Sequence, residues 1–436
     1  MERIAVRELI EWKESEERKP LIIYGTRQVG KTWLVREFAK AHFKGLVELD
    51  FNKNPEYSNF FKQDLDPIRI IKAIEATLSK KINPNETLIF FDEIQQCQNA
   101  INSLKYFQDS ASEYHVIAAG SYLGLASVGN FPVGKTDSMT LYPMSFYEFL
   151  QAMELTQLLE TILNLDYEVL NVLSVKLIEL LRIYFCIGGM PEAVSIYLKH
   201  KDLVKVRKKQ LELLTNYDFD FSNHIPANLL QKVKMIWHSI PSLLAKEKKK
   251  FVYKEIKIGG RASQFEDALS MLEETRLVYK VSKVTKPKIP LNSYLEKDIF
   301  KLYMLDVGLL CAKSNIDIST FYLNENDIFS DFQGALTEQY VLQELIQAQN
   351  NNVYYWGNKN GTAEVDFLLQ HKNNIIPIEV KSTRNTQSKS LAAYIDLEKP
   401  PYAVRLSLKN YGENDKLFSV PLYMIASVWD IVESVK

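Results

Sequence analysis

Residues 21–43 read LIIYGTRQVGKTWLVREFAKAHF. The apolar run at 20–24 is short and stops at a glycine, which predicts a buried strand. The pattern after residue 30 is helical. Between them Gly25, Gly30, Lys31 and Thr32 stand at Gly-x-x-x-x-Gly-Lys-Thr spacing. Such a loop (Gly25, Thr26, Arg27, Gln28, Val29, Gly30) turns its backbone N–H groups toward phosphates, with no Cβ in the way at the glycines. Lys31 then reaches the β- and γ-phosphates, and the Thr32 hydroxyl ligates Mg²⁺. The helix that follows adds its positive N-terminal end. A chance turn between strand and helix is the competing reading. The complete eight-residue match in strand–loop–helix context weighs against it.

Working outward, TLIFFDEIQQC (87–97) gives a second apolar strand that ends in Asp92 and Glu93. Acids just past a buried strand sit at the carboxyl edge of the sheet, where open α/β sheets bind ligands. Asp92 is placed to hold Mg²⁺, through water, and Glu93 to orient or deprotonate an attacking water. HVIAAGS (115–121) is a third strand. Its Ser121 is placed either to sense a γ-phosphate or to serve as a plain turn residue. Strands are expected near 20–24, 46–51, 87–91, 115–119 and 138–142, alternating with helices. The pattern predicts a mostly parallel sheet covered on both faces.

Length and composition bound the rest. A chain of 436 residues suggests about three domains at ~150 residues each. Hydrophobic residues make up 46% and charged residues 25%, ordinary for a soluble protein with real cores. The charged N-terminus, MERIAVRELIEWKESEERK, lacks a signal-peptide core and reads as an amphipathic helix. No apolar run is long enough for a membrane span. Three scattered cysteines fit a reducing, cytoplasmic setting, and six histidines without HExxH or Cys/His pairing argue against structural zinc. The formal net charge of −1 hides a basic middle: residues 199–301 carry 22 Lys+Arg against 12 Asp+Glu. KVRKK (205–209), KEKKK (246–250) and KVSKVTKPK (280–288) are its clusters. They are either a solvated lysine surface or a footprint for DNA or RNA phosphates.

FVYKEIKIGGRASQFEDALSMLEETRLVYKV (251–281) orders a short helix, a Gly-Gly turn, an amphipathic helix and a β-rich segment. That order looks like a winged helix with its recognition helix near 262–274. Phe265, Ala268, Leu269 and Leu272 form its apolar face. Glu266, Asp267, Glu273 and Glu274 suit a DNA groove poorly, so a protein-contact role is the competing reading.

In AEVDFLLQHKNNIIPIEVKST (363–383) two strands flank a turn. A hairpin symmetric about residues 372 and 373 sets Asp366 opposite Glu379 and Lys381 opposite Glu364. Alternation puts Asp366, Glu379 and Lys381 on one face, with Phe367, Ile378 and Val380 on the other. Two carboxylates that close repel unless a divalent cation or a proton neutralises them. Lys381 paired with Glu364 or Glu379, in a silent scaffold, is the plainer alternative.

The blocks YGTRQVGKTWL, FFDEI, AAGSYLG, LYPMSFYEFL, GGMPEAV, KLYMLDVGLL and EVDFLL…PIEVKST together resemble a large group of prokaryotic AAA+-type P-loop ATPases. The resemblance covers nearly the whole chain. It implies ATP and Mg²⁺ as cofactors, and a strand order that sets the Ser121 strand between those of the phosphate loop and Asp92. Where members show Gly-Arg before the Pro-x-Ser-Phe block, this chain has Gly134-Lys135. A lysine lacks the arginine fork, so no arginine finger is assigned and ring assembly is left open. The C-terminal stretch resembles PD-(D/E)xK nucleases. By that resemblance Asp366 and Glu379 bind Mg²⁺, Glu338 assists, and Lys381 polarises the nucleophilic water or stabilises phosphorane charge.

The expected architecture is therefore α/β: an AAA+-like P-loop core at 1–150, a helical lid at 151–205, a basic winged-helix region at 206–310 and a PD-(D/E)xK nuclease-like α/β domain at 311–436. Three functions fit it: an ATPase acting on nucleic acid, an ATP-regulated metal-dependent nuclease, and a nucleotide-gated switch or adaptor with a silent nuclease-like domain and a protein partner.

Overall fold

A computed structural model describes residues 3–121, 134–246, 249–256, 261–317, 330–349, 352–358, 360–383 and 388–434. The chain forms two compact units, Met1–Tyr142 with Glu274–Arg276, and Pro143–Glu273 with Leu277–Lys436. No described helix is long and apolar enough to cross a membrane. Cys97, Cys186 and Cys311 are free and buried.

The first unit holds helices α1 (Val6–Glu14), α2 (Lys31–His42), α3 (Pro67–Leu78) and α4 (Gln98–Ser110). Its strands are β1 (Leu21–Gly25), β2 (Gly45–Asp50), β3 (Thr87–Asp92), β4 (His115–Ser121) and β5 (Asp137–Thr140), ordered β2-β3-β4-β1-β5 and all parallel. Strand alternation divides the core. Ile22, Ile89, Phe91, Val116 and Ala118 meet Ile70, Ile74, Leu104 and Phe107 of α3 and α4. Leu21, Ile23, Leu88, Phe90, Ile117 and Ala119 meet Leu9 and Trp12 of α1 and Leu34, Val35 and Phe38 of α2. Burial on both faces is why these strands are unbroken apolar runs. β4 lies between β1 and β3, as the resemblance implied.

The second unit opens with helices α5 (Phe146–Ala152), α6 (Thr156–Leu163), α7 (Tyr167–Ile187), α8 (Pro191–His200), α9 (Leu203–His224), α10 (Ala227–Leu244), α11 (Tyr253–Ile256) and α12 (Ala262–Glu274). After them come β6 (Val278–Val284), β7 (Leu295–Met304), α13 (Val307–Lys313), α14 (Ser330–Gln349), β8 (Tyr354–Gly357), β9 (Glu364–His371), β10 (Asn374–Val380), α15 (Lys389–Glu398), β11 (Ala403–Ser407), β12 (Gly412–Asn414), β13 (Leu417–Pro421) and α16 (Val428–Ser434). The strands make one mixed sheet, ordered β12-β13-β11-β10-β9-β8-β6-β7.

The block at 143–149 falls in the second compact unit. Ser145 and Glu148 form a capping box on α5, Met144 N–H donates to Gly189 O, and Phe146 N–H donates to buried Glu344. The GGMP segment stops α7. Gly188 takes a φ of 71° and packs so close to Asp306 that a Cβ would fall 2.1 Å from Oδ1. Its neighbour Gly189 donates N–H to Asp306 Oδ2 at 2.6 Å.

The boundary at 310/311 falls inside α13. β6 pairs with β8 in parallel through Ser282, Lys283 and Val284, so residues assigned to the winged-helix region share a sheet with the C-terminal strands. Helices α10, α11 and α12 do precede an antiparallel β6–β7 pair, but that pair is built into the larger sheet. The Gly259-Gly260 turn lies outside the described residues. α12 buries Phe265, Ala268, Leu269 and Leu272 and exposes Glu266 and Asp267.

Candidate functional site

The loop between β1 and α2 is set by backbone conformation. Gly30 sits at φ 98° and Gln28 at φ 65°, both left-handed, and only glycine takes such a turn without a Cβ penalty. Lys31 is buried, and its Nζ donates to the carbonyls of Gly25 and Thr26, both at 2.9 Å. Burial lowers its pKa to about 8, against the pull of Glu93 and Asp92. Arg27 is half-buried and Gln28 exposed, whereas Val29 is buried. Buried Arg3 braces the loop from the side of α1, donating to Val29 O at 3.2 Å and Tyr142 O at 2.6 Å.

The acids lie across the same sheet edge. Asp92 is buried at the end of β3. Its Oδ2 accepts from the Thr32 hydroxyl at 2.7 Å and its Oδ1 from Glu93 N–H at 3.1 Å. Burial raises its pKa to about 6. Glu93 is half-buried at a left-handed backbone position, φ 50°, and its carboxylate accepts from Gln95. Buried Ser121 ends β4 directly opposite Gly25 in the β1–β4 register. Lys135, where an arginine was looked for, pairs at the surface with Asp109 at 2.6 Å.

Glu48 and Asp50 were not singled out from the sequence. Together with Asp92 they form a group in which one carboxylate oxygen from each lies within 4.8 Å of the others, the one such group of three among the described residues. Asp50 is the register partner of Asp92, and Glu48 also pairs with Arg36 of α2 at 2.6 Å. The signal was present in GLVELD, where two acids at i and i+2 share one face of an otherwise apolar strand.

This donor set fits Mg·ATP. The Thr26 hydroxyl is buried and has no hydrogen-bond partner in the described structure. A buried polar group of that kind calls for a ligand. A cluster of hard oxygen donors beside a loop of N–H groups and an ammonium suits a divalent cation and a polyphosphate.

The second unit gathers the C-terminal residues differently. The hairpin register is the expected one, from Asn374–His371 to Ile378–Phe367. Past that point Asp366 Oδ2 accepts Val380 N–H at 2.8 Å. Lys381 Nζ bonds Glu379 Oε1 at 2.8 Å, and Glu364 is taken by Lys301 of β7 at 2.7 Å. Glu338 of α14 bonds Lys249 through Oε1 and the Tyr303 hydroxyl through Oε2 at 2.9 Å, and Lys301 is 3.7 Å from it. Burial acts to raise the Glu338 pKa, but Lys249 and Lys301 pull it to about 2. Asp366 goes the other way. Burial, then the charges of Glu338 and Glu379, hold it well above the usual carboxylate range. Glu338, Asp366 and Glu379 do not converge as a three-carboxylate donor set. Lys249 and Lys301 were missed as site residues because they come from remote segments.

Residues 17–150 match a family model described as an AAA domain. Two further models, each described as a domain of unknown function, match residues 178–320 and 333–425. An uncharacterized protein of Methanocaldococcus jannaschii is 23% identical over 409 residues, spanning 91% of this chain and 82% of that protein. Among solved structures, a Walker-type ATPase of Pyrococcus abyssi aligns at 14% identity and a TM-score of 0.42, covering 71% of this chain and 94% of that one. Drosophila ORC bound to DNA aligns at 14% identity and a TM-score of 0.28, covering 64% and 87%. The AAA-domain match supports a P-loop ATPase family for the first unit.

Proposed function

We propose that the chain is a Mg·ATP-dependent ATPase. The observation that carries this reading is the placement of Lys31 and Thr32, at the start of α2 after β1, beside Asp92 at the end of β3, with the Thr32 hydroxyl 2.7 Å from Asp92. In this reading the backbone of Gly25, Thr26, Arg27, Gln28, Val29 and Gly30 cradles the phosphates, and Lys31 leaves the loop carbonyls to reach the β- and γ-phosphates. Thr32 and Asp92 hold Mg²⁺, which neutralises charge developing on the phosphates. Glu93 takes the proton of the attacking water, and Ser121 contacts the γ-phosphate. ATP turnover with and without Mg²⁺ tests this, with Lys31→Ala as control. That variant is expected to lose on the order of 10²-fold or more in kcat/KM, as for removal of a preorganised electrostatic donor. Unchanged ATP affinity and turnover in Lys31→Ala would overturn the site.

For the second unit we favour a nucleotide-gated switch over a nuclease, because Glu338, Glu364 and Glu379 each already hold a lysine. In the nuclease reading Asp366, Glu379 and Glu338 would hold Mg²⁺ and Lys381 would act on the water; cleavage of DNA or RNA in Mg²⁺ or Mn²⁺ would establish it. Coupling of ATP hydrolysis to nucleic acid rests on a separate observation, the exposure of Lys205, Lys208, Lys286 and Lys288. Contact with about four phosphates gives a log–log salt slope near −3.6, or about 100-fold weaker binding between 50 and 200 mM salt. No binding at the lower salt would leave the adaptor reading.

A further inference from the structure

Outside the nucleotide loop and the C-terminal hairpin, the second unit sets a lysine against an imidazole. Lys313 ends α13 and is half-buried. Its Nζ lies 4.6 Å from the centre of the Trp237 ring and 3.0 Å from His238 Nδ1. Trp237 is fully buried and covers Nζ on one side, while the neighbouring His238 is exposed. Across the imidazole, His238 Nε2 is 3.5 Å from Asp218 Oδ1. Helices α9, α10 and α13 thus supply an acid, an imidazole and an amine in succession.

The donor inventory fixes the protons. An ammonium has three donors and no lone pair, so His238 Nδ1 must be the acceptor. The neutral ring then carries its proton on Nε2, on the side of Asp218. Asp218 Oδ1 is buried without a hydrogen-bond partner among the described residues, and is open to that proton. A base next to the nucleophile, itself oriented by a third group, is the arrangement that activates weak nucleophiles. Burial lowers the Lys313 pKa to about 8, against the pull of Asp218. The charges that act on His238 are those of Lys313, Asp218 and Lys234 of α10. Lys31 shows why geometry decides: its pKa is also lowered to about 8, but its Nζ donates to two carbonyls, which take no proton away.

We propose that Lys313 is an acyl-acceptor site, a nucleophilic lysine that His238 and Asp218 assist in attacking an activated acyl group, an acyl phosphate or a thioester. The neutral amine attacks the acyl carbon. An N–C bond forms, the C–O or C–S bond breaks, and phosphate or thiolate leaves. The proton shed by nitrogen passes to His238 Nδ1, and Asp218 stabilises the imidazolium until that proton goes to solvent. The product is an amide, which no longer presents a cation to the Trp237 ring. Modification therefore erases a charge where α13 meets α10, away from the nucleotide loop.

The test treats the full chain with limiting acetyl phosphate, or with the N-acetylcysteamine thioester of acetate, and reads each lysine by peptide mass spectrometry. Near neutral pH, Lys313 is expected to be acylated about tenfold faster than exposed Lys286 and Lys288, its larger neutral fraction being partly offset by weaker intrinsic nucleophilicity. Its rate is expected to level off above about pH 8, where the amine is already neutral. His238→Gln can accept from the lysine but cannot take its proton. It is expected to remove most of the advantage, and Asp218→Asn part of it. Labelling by one donor alone supports the site and identifies the source of the acyl group. Equal rates at Lys313, Lys286 and Lys288 overturn the nucleophile. A fast Lys313 that His238→Gln leaves unchanged overturns the assisted site. Where a variant fails to fold, the ranking of lysines and the pH profile of the unsubstituted chain decide.

Discussion

Asp92 ends β3 and Asp366 stands near the start of β9, each beside apolar strand sequence, yet their surroundings differ in kind. Asp92 accepts from a hydroxyl and a backbone N–H, and the lysine of its site turns to the carbonyls of Gly25 and Thr26. Its neighbours Glu48 and Asp50 converge on it. Around Asp366 the other acids are already bound by ammonium groups from three separate segments. Capacity to take a metal therefore depends on which donors reach the carboxylates, not on how many carboxylates there are. In the first unit Asp92 is met by neutral donors and the cation must come from outside. In the second it is built in.

The comparison breaks most visibly at Glu93. Glu93→Gln is expected to retain ATP while turnover falls by ~10²–10⁴-fold, the usual cost of losing a general base. Single-turnover hydrolysis measures it, and wild-type turnover would place the base elsewhere.

A smaller effect sharpens the other half. Glu344, nearly fully buried, accepts Phe146 N–H at 2.9 Å, and burial, with a lesser push from Glu148, raises its pKa to about 8. The native state therefore holds a proton that the unfolded chain releases near pH 4.5. Stability is retained below that pH and falls as pH rises toward 8. Glu344→Gln keeps the acceptor and removes the titration. It is expected to flatten the decline, by on the order of a few kcal/mol at pH 8. Urea unfolding at pH 5 and pH 8 checks this; parallel pH profiles for the two proteins would show that Glu344 is ionised at no such cost.

The smallest effect is expected at Arg36, whose side chain is 54% exposed where it grips Glu48. Arg36→Ala should cost less than ~1 kcal/mol, because solvent screens such a pair. A larger loss in thermal unfolding would mean that Glu48 needs a fixed partner to sit beside Asp50 and Asp92.

Much of the first unit was legible because its signals are local. The strand runs, the loop glycines and the acids after β3 occupy single continuous segments, and burial on both faces writes itself into unbroken apolar sequence. The hairpin register was legible for the same reason: Asn374 and His371 close the turn, and alternation carries the count inward. What escaped depends on distance along the chain. Nothing near Lys249 or Lys301 announces Glu338, because a lysine in a basic run reads as solvated until tertiary structure removes it. The β-rich start of β6 was legible, but its pairing with β8 is a contact across some 70 residues, and lateral pairing leaves no mark in either strand's own pattern.

That pairing has a consequence for how the protein can be cut. Val284 is fully buried in β6, where it lies beside Trp356 of β8. A fragment ending near residue 310 keeps β6 and β7 but removes β8, leaving the ladder groups of residues 282–284 open. Such an unprotected apolar edge recruits other chains. Expression of that fragment is therefore expected to give aggregates, and on the ribosome the strand must wait about 70 residues of synthesis for its neighbour. The middle of this chain is completed from its far end.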